Sequence, residues 1–278
     1  MSLFGYVSPR NLDEAVAVLA ANPHARPLAG GHTLLLPASR SQLAGALLVD
    51  LGKIEALAGV ELLADGSLKI GATTTLAALA DSALIREQIP VLSGTALLMG
   101  DAQLRNRATI GGNIAAPDLG ADLPALLLAL NARIQAVGPN GSREILTDEF
   151  SGGELIVSIT VPAPARGSGV AYEKIKHHAT LFALCGVAAA VQVTPDGTVS
   201  DARIAVTGAV ARPGRLRAVE QALLGKPANE ASVVSAASAK DDKLSFFTDL
   251  FASAEYRGHL THVLTERALK RAIAAATA

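Results

Sequence analysis

Two short stretches, "AGGHT" at Ala29–Thr33 and "TIGGN" at Thr109–Asn113, hold the residues of this chain best suited to chemistry. Each reads as an apolar strand end followed by Gly-Gly, one polar residue and further apolar residues. A glycine-rich turn after a strand presents successive backbone N–H groups with no Cβ in the way, which suits phosphate oxygens. Thr33, Thr109 and Asn113 add side-chain hydrogen bonds for a pyrophosphate or a sugar, and Asp122, just before the next apolar run, can accept from a ribose hydroxyl. The competing reading is a tight turn with close packing, the commoner use of a lone Gly-Gly. Two loops built alike shift the balance toward a ligand without settling it. Neither the Rossmann glycine fingerprint nor a Walker phosphate loop occurs.

The remaining candidates carry less. His259, His262 and Glu266 have helical spacing that suits a metal, but also suit a half-exposed helix face. His177 and His178 lie on an expected strand, whose alternation would send the two imidazoles to opposite faces. Cys185 lies in an apolar strand, where a buried inert thiol is expected rather than a nucleophile. No Ser/His/Asp set or nucleophile elbow supports a hydrolase.

The chain must bring two distant loops together, and it has the material to do so. Of its 278 residues 50% are hydrophobic and 18% charged, enough for a sizeable core and too little charge for disorder. The formal net charge of -1, with no basic block, argues against nucleic acid or an anionic membrane as partner. Charges or glycines interrupt the longest apolar stretches before they reach membrane-spanning length, and an early Arg and acidic residues break any signal-peptide pattern. A single cysteine excludes an internal disulfide and a cysteine-ligated iron–sulfur cluster on this chain. The expectation is a cytoplasmic protein.

The patterning predicts strand, helix, strand, helix, strand up to about Leu51, with Asn11 as an N-cap. A hairpin turning at Asp65-Gly66 follows, then helices over 75–80 and 92–99 and the second glycine loop. "LPALLLALNARIQAV" reads as a helix leading into a strand, "ELIVSITVP" as a strand, and "VPAPARGSG" as a linker. Beyond the linker an antiparallel meander precedes three helices, the last from Ala254 to about Ala276.

Taken together, "AGGHTLLLP", "RNRATIGGNIAAPDLGADLPALLLAL", "YEKIK", "GAVARPGRLRAVE" and "EYRGHLTHVLTERALKRA" resemble the FAD-binding medium subunit of the molybdenum hydroxylases, the group of carbon monoxide dehydrogenase, xanthine dehydrogenase and aldehyde oxidase. The resemblance runs along essentially the whole chain in the same order. It implies an α+β fold: a two-part, vanillyl-alcohol-oxidase-like (PCMH-type) FAD-binding domain over residues 1–165, divided near 55. A small sheet-plus-helix domain of the carbon monoxide dehydrogenase flavoprotein type would follow over 166–278. In that family both glycine loops wrap the FAD pyrophosphate. Leu28, Ala29, Gly30, Gly31, His32, Thr33 and Leu34 would then form one wall, and Thr109, Gly111, Gly112 and Asn113 the other. The same resemblance places Asp122 near the FAD, Ile156 on a strand beside the flavin and Lys174 near the cofactor. It assigns no catalytic side chain and no metal ligand. It implies two partners, a molybdopterin-binding large subunit and a 2Fe-2S small subunit, with electrons leaving to NAD+, a quinone or oxygen. The chain departs from the pattern at Leu181, where an aspartate is frequent, at Leu119, where proline is common, and in "ASRSQLA" after Pro37. A free-standing flavoprotein oxidoreductase and a flavin-free scaffold on the same fold are the two alternatives.

Overall fold

The computed structural model describes residues 4–36, 43–115, 120–138, 141–241 and 244–278. The first unit is β1 (Gly5–Val7), α1 (Leu12–Ala21), β2 (Ala25–Leu28) and β3 (Leu47–Asp50), a parallel sheet in the order β1-β3-β2. Asn11 caps α1 as expected, its side chain accepting from the Glu14 N–H at 2.9 Å. The helix expected between β2 and β3 falls largely on 37–42, outside the described residues. What precedes that gap is a turn in which the Leu35 N–H donates to the Gly31 carbonyl at 3.0 Å.

The second unit contains β4 (Val60–Leu62), β5 (Leu68–Gly71), α2 (Leu76–Asp81), α3 (Ala83–Gln88), α4 (Pro90–Leu97), α5 (Ala102–Arg105), α6 (Ile110–Ala115), α7 (Leu123–Ala129), β6 (Arg133–Gly138), β7 (Gly141–Leu146) and β8 (Leu155–Val161). Its sheet is antiparallel, ordered β4-β5-β8-β6-β7. Asp65-Gly66 turns the first hairpin as expected, with Gly66 at φ 81°. The helices α3 and α5 were not legible: each has under two turns and starts at a side-chain cap, Ser82 or Asp101, too short to show an apolar stripe. Leu76, Leu79, Leu92, Leu123 and Leu126 from the helices meet Leu68, Ile70, Ile134 and Ile159 from the sheet in one core.

The third unit is the expected meander, β9 (Ser168–Lys176), β10 (Ala183–Val193), β11 (Val199–Thr207) and β12 (Gly214–Arg215), followed by α8 (Arg217–Leu223), α9 (Glu230–Ala237) and α10 (Ala254–Ala276). Strand β10 is buried on both faces, and its period of two divides it. Cys185, Val187, Ala189 and Val191 pack with Leu264, Ala268 and Ala272 of α10. Ala188 and Ala190 join Tyr172 in the core of the second unit. This double burial holds the third unit on the second, and with it the β9–β10 turn. Arg257, buried in α10, ties that end of the sheet together by donating to the Leu184 carbonyl at 2.7 Å and to Asp249 at 2.6 Å. The Cys185 thiol is pushed up to about 11, mainly by burial, and is an inert core group as expected.

Candidate functional site

The two glycine loops meet backbone on backbone. A Cβ on Gly30 would collide with the carbonyl group of Arg107, so the first loop lies directly against the residue that leads into the second. A Cβ on Gly111 would lie 2.7 Å from the Ala72 Cβ and 2.8 Å from its carbonyl oxygen, at the end of β5. Gly31 has φ 74°, a left-handed backbone that favours glycine. These three glycines are accounted for by the chain itself. Gly112 is not. It lies within α6, it is exposed, and among the described residues a Cβ there would meet only the Thr109 hydroxyl at 2.9 Å. Of the four glycines Gly112 is the least constrained by the described residues, its one close neighbour being the Thr109 hydroxyl that accepts from its own N–H.

The second loop corrects the sequence reading in one respect: it opens a helix rather than ending a strand. Segment 108–110 pairs with 74–76, and α6 starts at once, with the Thr109 hydroxyl accepting from the Gly112 N–H at 3.1 Å. The Gly111 N–H donates to the Ala72 carbonyl and the Asn113 N–H to the Thr109 carbonyl, both at 2.9 Å. Its amides are therefore engaged within the chain. The donors open to an anion come from the first loop, where the N–H groups of Gly30, Gly31, His32 and Leu34 find no acceptor among the described residues. Across from them, the side-chain oxygen of Asn113 is buried without a hydrogen-bond partner. The resulting crevice, lined by His32, Thr33, Asn113 and Asp122 among others, suits a ligand that is anionic at one end and rich in hydroxyls.

Asp122 and Lys174, 52 residues apart, form a buried ion pair, each side chain only 3% exposed. The Lys174 ammonium lies 2.8 and 2.9 Å from the two carboxylate oxygens, and the Tyr172 hydroxyl donates to one of them at 2.7 Å. The Asp122 carboxylate thus joins α7 to β9 at the crevice wall. Burial, and then the charge of Asp122 and the hydrogen bond to it, hold the Tyr172 phenol well above its ordinary value. The bond's contribution is complete below the unfolded phenol's pKa of about 10 and is lost as pH rises through the raised folded value. Tyr172→Phe should therefore be less stable than the parent by roughly 1 kcal/mol at pH 7–9. That gap should close above about pH 10, and a gap unchanged at pH 11 in thermal melts would refute the assignment.

The other sequence-predicted residues are divided. Thr109 is buried, Ala29 half-buried, and His32 exposed at the crevice. Leu28 and Leu34 pack with Leu43, Ala46 and Leu48 under the first loop. Ile156 is in the main core and is not among the lining residues. Leu119 and the departing stretch at 37–42 lie outside the described residues. His177 and His178 sit beyond the end of β9, not on it, with ring centroids 4.7 Å apart, so strand alternation does not separate them. The His262 Nδ1–H donates to the Ala237 carbonyl at 2.8 Å, and among the described residues no group of three metal-ligating side chains is found.

Two parts of the wall were missed. One is the α4–α5 corner with Met99 and Gly100, signalled only by Gly100 preceding the Asp101 cap. The other is the β9–β10 turn with Thr180, Leu181 and Phe182. Leu181, the departure from the aspartate pattern, sits there at φ 60°, strained for a leucine. A Cβ on Gly120 would lie 2.8 Å from the Phe182 Cβ, so this turn also presses on the segment carrying Asp122.

Comparison with known proteins agrees with this architecture. Residues 2–164 match the family model described as the FAD binding domain in molybdopterin dehydrogenase, and residues 170–272 match that of the CO dehydrogenase flavoprotein C-terminal domain. The carbon monoxide dehydrogenase medium chain of Hydrogenophaga pseudoflava is 36% identical, over 97% of this chain and 96% of that one. The 6-hydroxypseudooxynicotine dehydrogenase complex subunit alpha of Paenarthrobacter nicotinovorans is 32% identical, over 97% of this chain and 94% of the relative. A solved structure of carbon monoxide dehydrogenase from Hydrogenophaga pseudoflava contains a chain that superposes with a TM-score of 0.90 at 37% identity, covering 98% of this chain and 97% of that one. With both halves of the sequence matched in order and both glycine loops built into one crevice, this chain belongs to the FAD-binding medium subunits of the molybdenum hydroxylases.

Proposed function

We propose that the chain is the electron-transfer subunit of a three-part molybdenum hydroxylase. Electrons would arrive from 2Fe-2S clusters on a small subunit, after substrate oxidation on a molybdopterin-binding large subunit, and leave to NAD+, a quinone or oxygen. The observation that carries the reading is the crevice. Among the described residues it offers unclaimed N–H donors, an open glycine and an orphaned amide oxygen, and no acid–base pair free to process a substrate. Its one carboxylate–ammonium pair is buried and engaged with itself. The lone cysteine places any cluster on another chain.

Bound FAD would supply a carrier able to take one or two electrons, and this chain supplies binding, orientation and charge. Gly30, Gly31, His32 and Leu34 would hold the pyrophosphate through their N–H groups. Asn113 and the Thr109 hydroxyl would hold sugar or ribityl hydroxyls at the face opened by Gly112. Asp122 and Lys174 would act indirectly, by fixing the α7 end of the wall. We take 1–165, divided near 55, and 166–278 as the two domains. No helix among the described residues is long and apolar enough to cross a membrane, and we place the complex in the cytoplasm. The test is co-expression with candidate large and small subunits, followed by anaerobic spectroscopy. In the complex a small organic substrate should bleach the flavin absorbance, whereas the FAD-loaded isolated chain should stay oxidised. Fast bleaching of the isolated chain by such a substrate would favour a free-standing enzyme.

A further inference from the structure

Among the described residues the crevice wall offers an anionic ligand no free cation. A dinucleotide pyrophosphate is dianionic, yet among the described residues no lysine or arginine lines the crevice, and the nearby Lys174 is neutralised by Asp122. Backbone N–H groups orient an anion but carry only partial charge. Arg107 is placed to supply the rest. Its carbonyl carbon is 2.6 Å from where a Gly30 Cβ would stand, so its Cα, one bond of about 1.5 Å further on, is within about 4 Å of that point. The guanidinium, on a side chain several ångströms long, can therefore swing over the Gly30–His32 amides. It is also uncommitted: Arg107 is exposed, and its side chain makes no hydrogen bond or ion pair among the described residues. Two residues earlier, Arg105 is held by the Met99 and Gly100 carbonyls at 3.2 and 2.9 Å.

We propose that Arg107 is a binding residue for the FAD pyrophosphate, closing over the Gly30–His32 amides as their cationic partner. The inference rests on the reading of the crevice as the FAD site. A planar guanidinium offers a full charge and a two-pronged donor set matched to phosphate oxygens. Because it stands at the surface, its attraction is screened by salt.

The test is fluorescence titration of the full chain with FAD and with riboflavin, which lacks phosphate, at low and high salt. Parent, Arg107→Ala and Arg107→Lys are compared, with thermal melts to confirm that each is folded. Arg107→Ala should weaken FAD about tenfold, the loss of one charge-assisted hydrogen bond. It should leave riboflavin unchanged and flatten the salt dependence of FAD binding. Arg107→Lys should keep the salt dependence and recover part of the affinity. Parent-like FAD affinity and salt dependence in folded Arg107→Ala would overturn the proposal, as would equal weakening of FAD and riboflavin. If the parent binds FAD no tighter than riboflavin, the reading of the crevice fails first and takes this inference with it.

Discussion

Lys174→Met should lower the stability of the folded chain by about 3–5 kcal/mol, because it leaves the Asp122 carboxylate buried without its counter-charge. The Tyr172 hydroxyl still donates to that carboxylate, but a neutral donor replaces only part of what the ammonium supplied. For a chain of this size the loss corresponds to a fall in Tm of roughly 10 °C. The damage should be local to the seam between α7 and β9, so FAD affinity should fall in step. The informative control is Asp122→Asn combined with Lys174→Met. Removing both charges together abolishes the uncompensated one, and exchange of a buried pair for neutral groups is often close to neutral. The double variant should therefore be more stable than Lys174→Met alone. Equal urea midpoints for the single and the double variant would show that the pair does not act as a buried charge couple.

The second large effect separates two adjacent glycines. Gly111→Val should fail to fold or melt far below the parent, since its Cβ meets the Ala72 backbone and no rotamer moves a carbonyl oxygen out of the way. Gly112→Val should fold, for a Cβ there need only turn the Thr109 hydroxyl aside, forfeiting one cap to the Gly112 N–H. Its defect should lie in the ligand: FAD affinity should drop at least about tenfold as the branched side chain enters the open face of α6. Circular dichroism and flavin titration on the same preparations decide the matter. Full FAD affinity in folded Gly112→Val would remove the only ligand-based reason for that glycine. A well-folded Gly111→Val would show that the contact with Ala72 is not what requires glycine at 111.

Legibility in the sequence followed distance along the chain. Asn11 capping α1, Asp65-Gly66 turning the first hairpin, the α7–β6 succession and the long α10 are each decided by residues within a few positions of one another. All were readable. The motifs and their order along the chain, through their resemblance to a known family, sufficed to place it among flavin-binding subunits, and the single cysteine to exclude a cysteine-ligated iron–sulfur cluster on this chain. The sequence also presented four glycines as one kind of residue with one purpose.

Tertiary structure separated them. Gly30 yields to Arg107 and Gly111 to Ala72, contacts made 77 and 39 positions away. Gly31 serves its own backbone, and Gly112 alone stands open. Asp122, which sequence reasoning offered to a ribose, is claimed by Lys174 and Tyr172 from another sheet. The β9–β10 turn became a wall of the site only because β10 buries both its faces and so seats the third unit on the second. A local pattern records what a residue's neighbours need, but which distant backbone arrives against it depends on how whole elements pack, and nothing local encodes that.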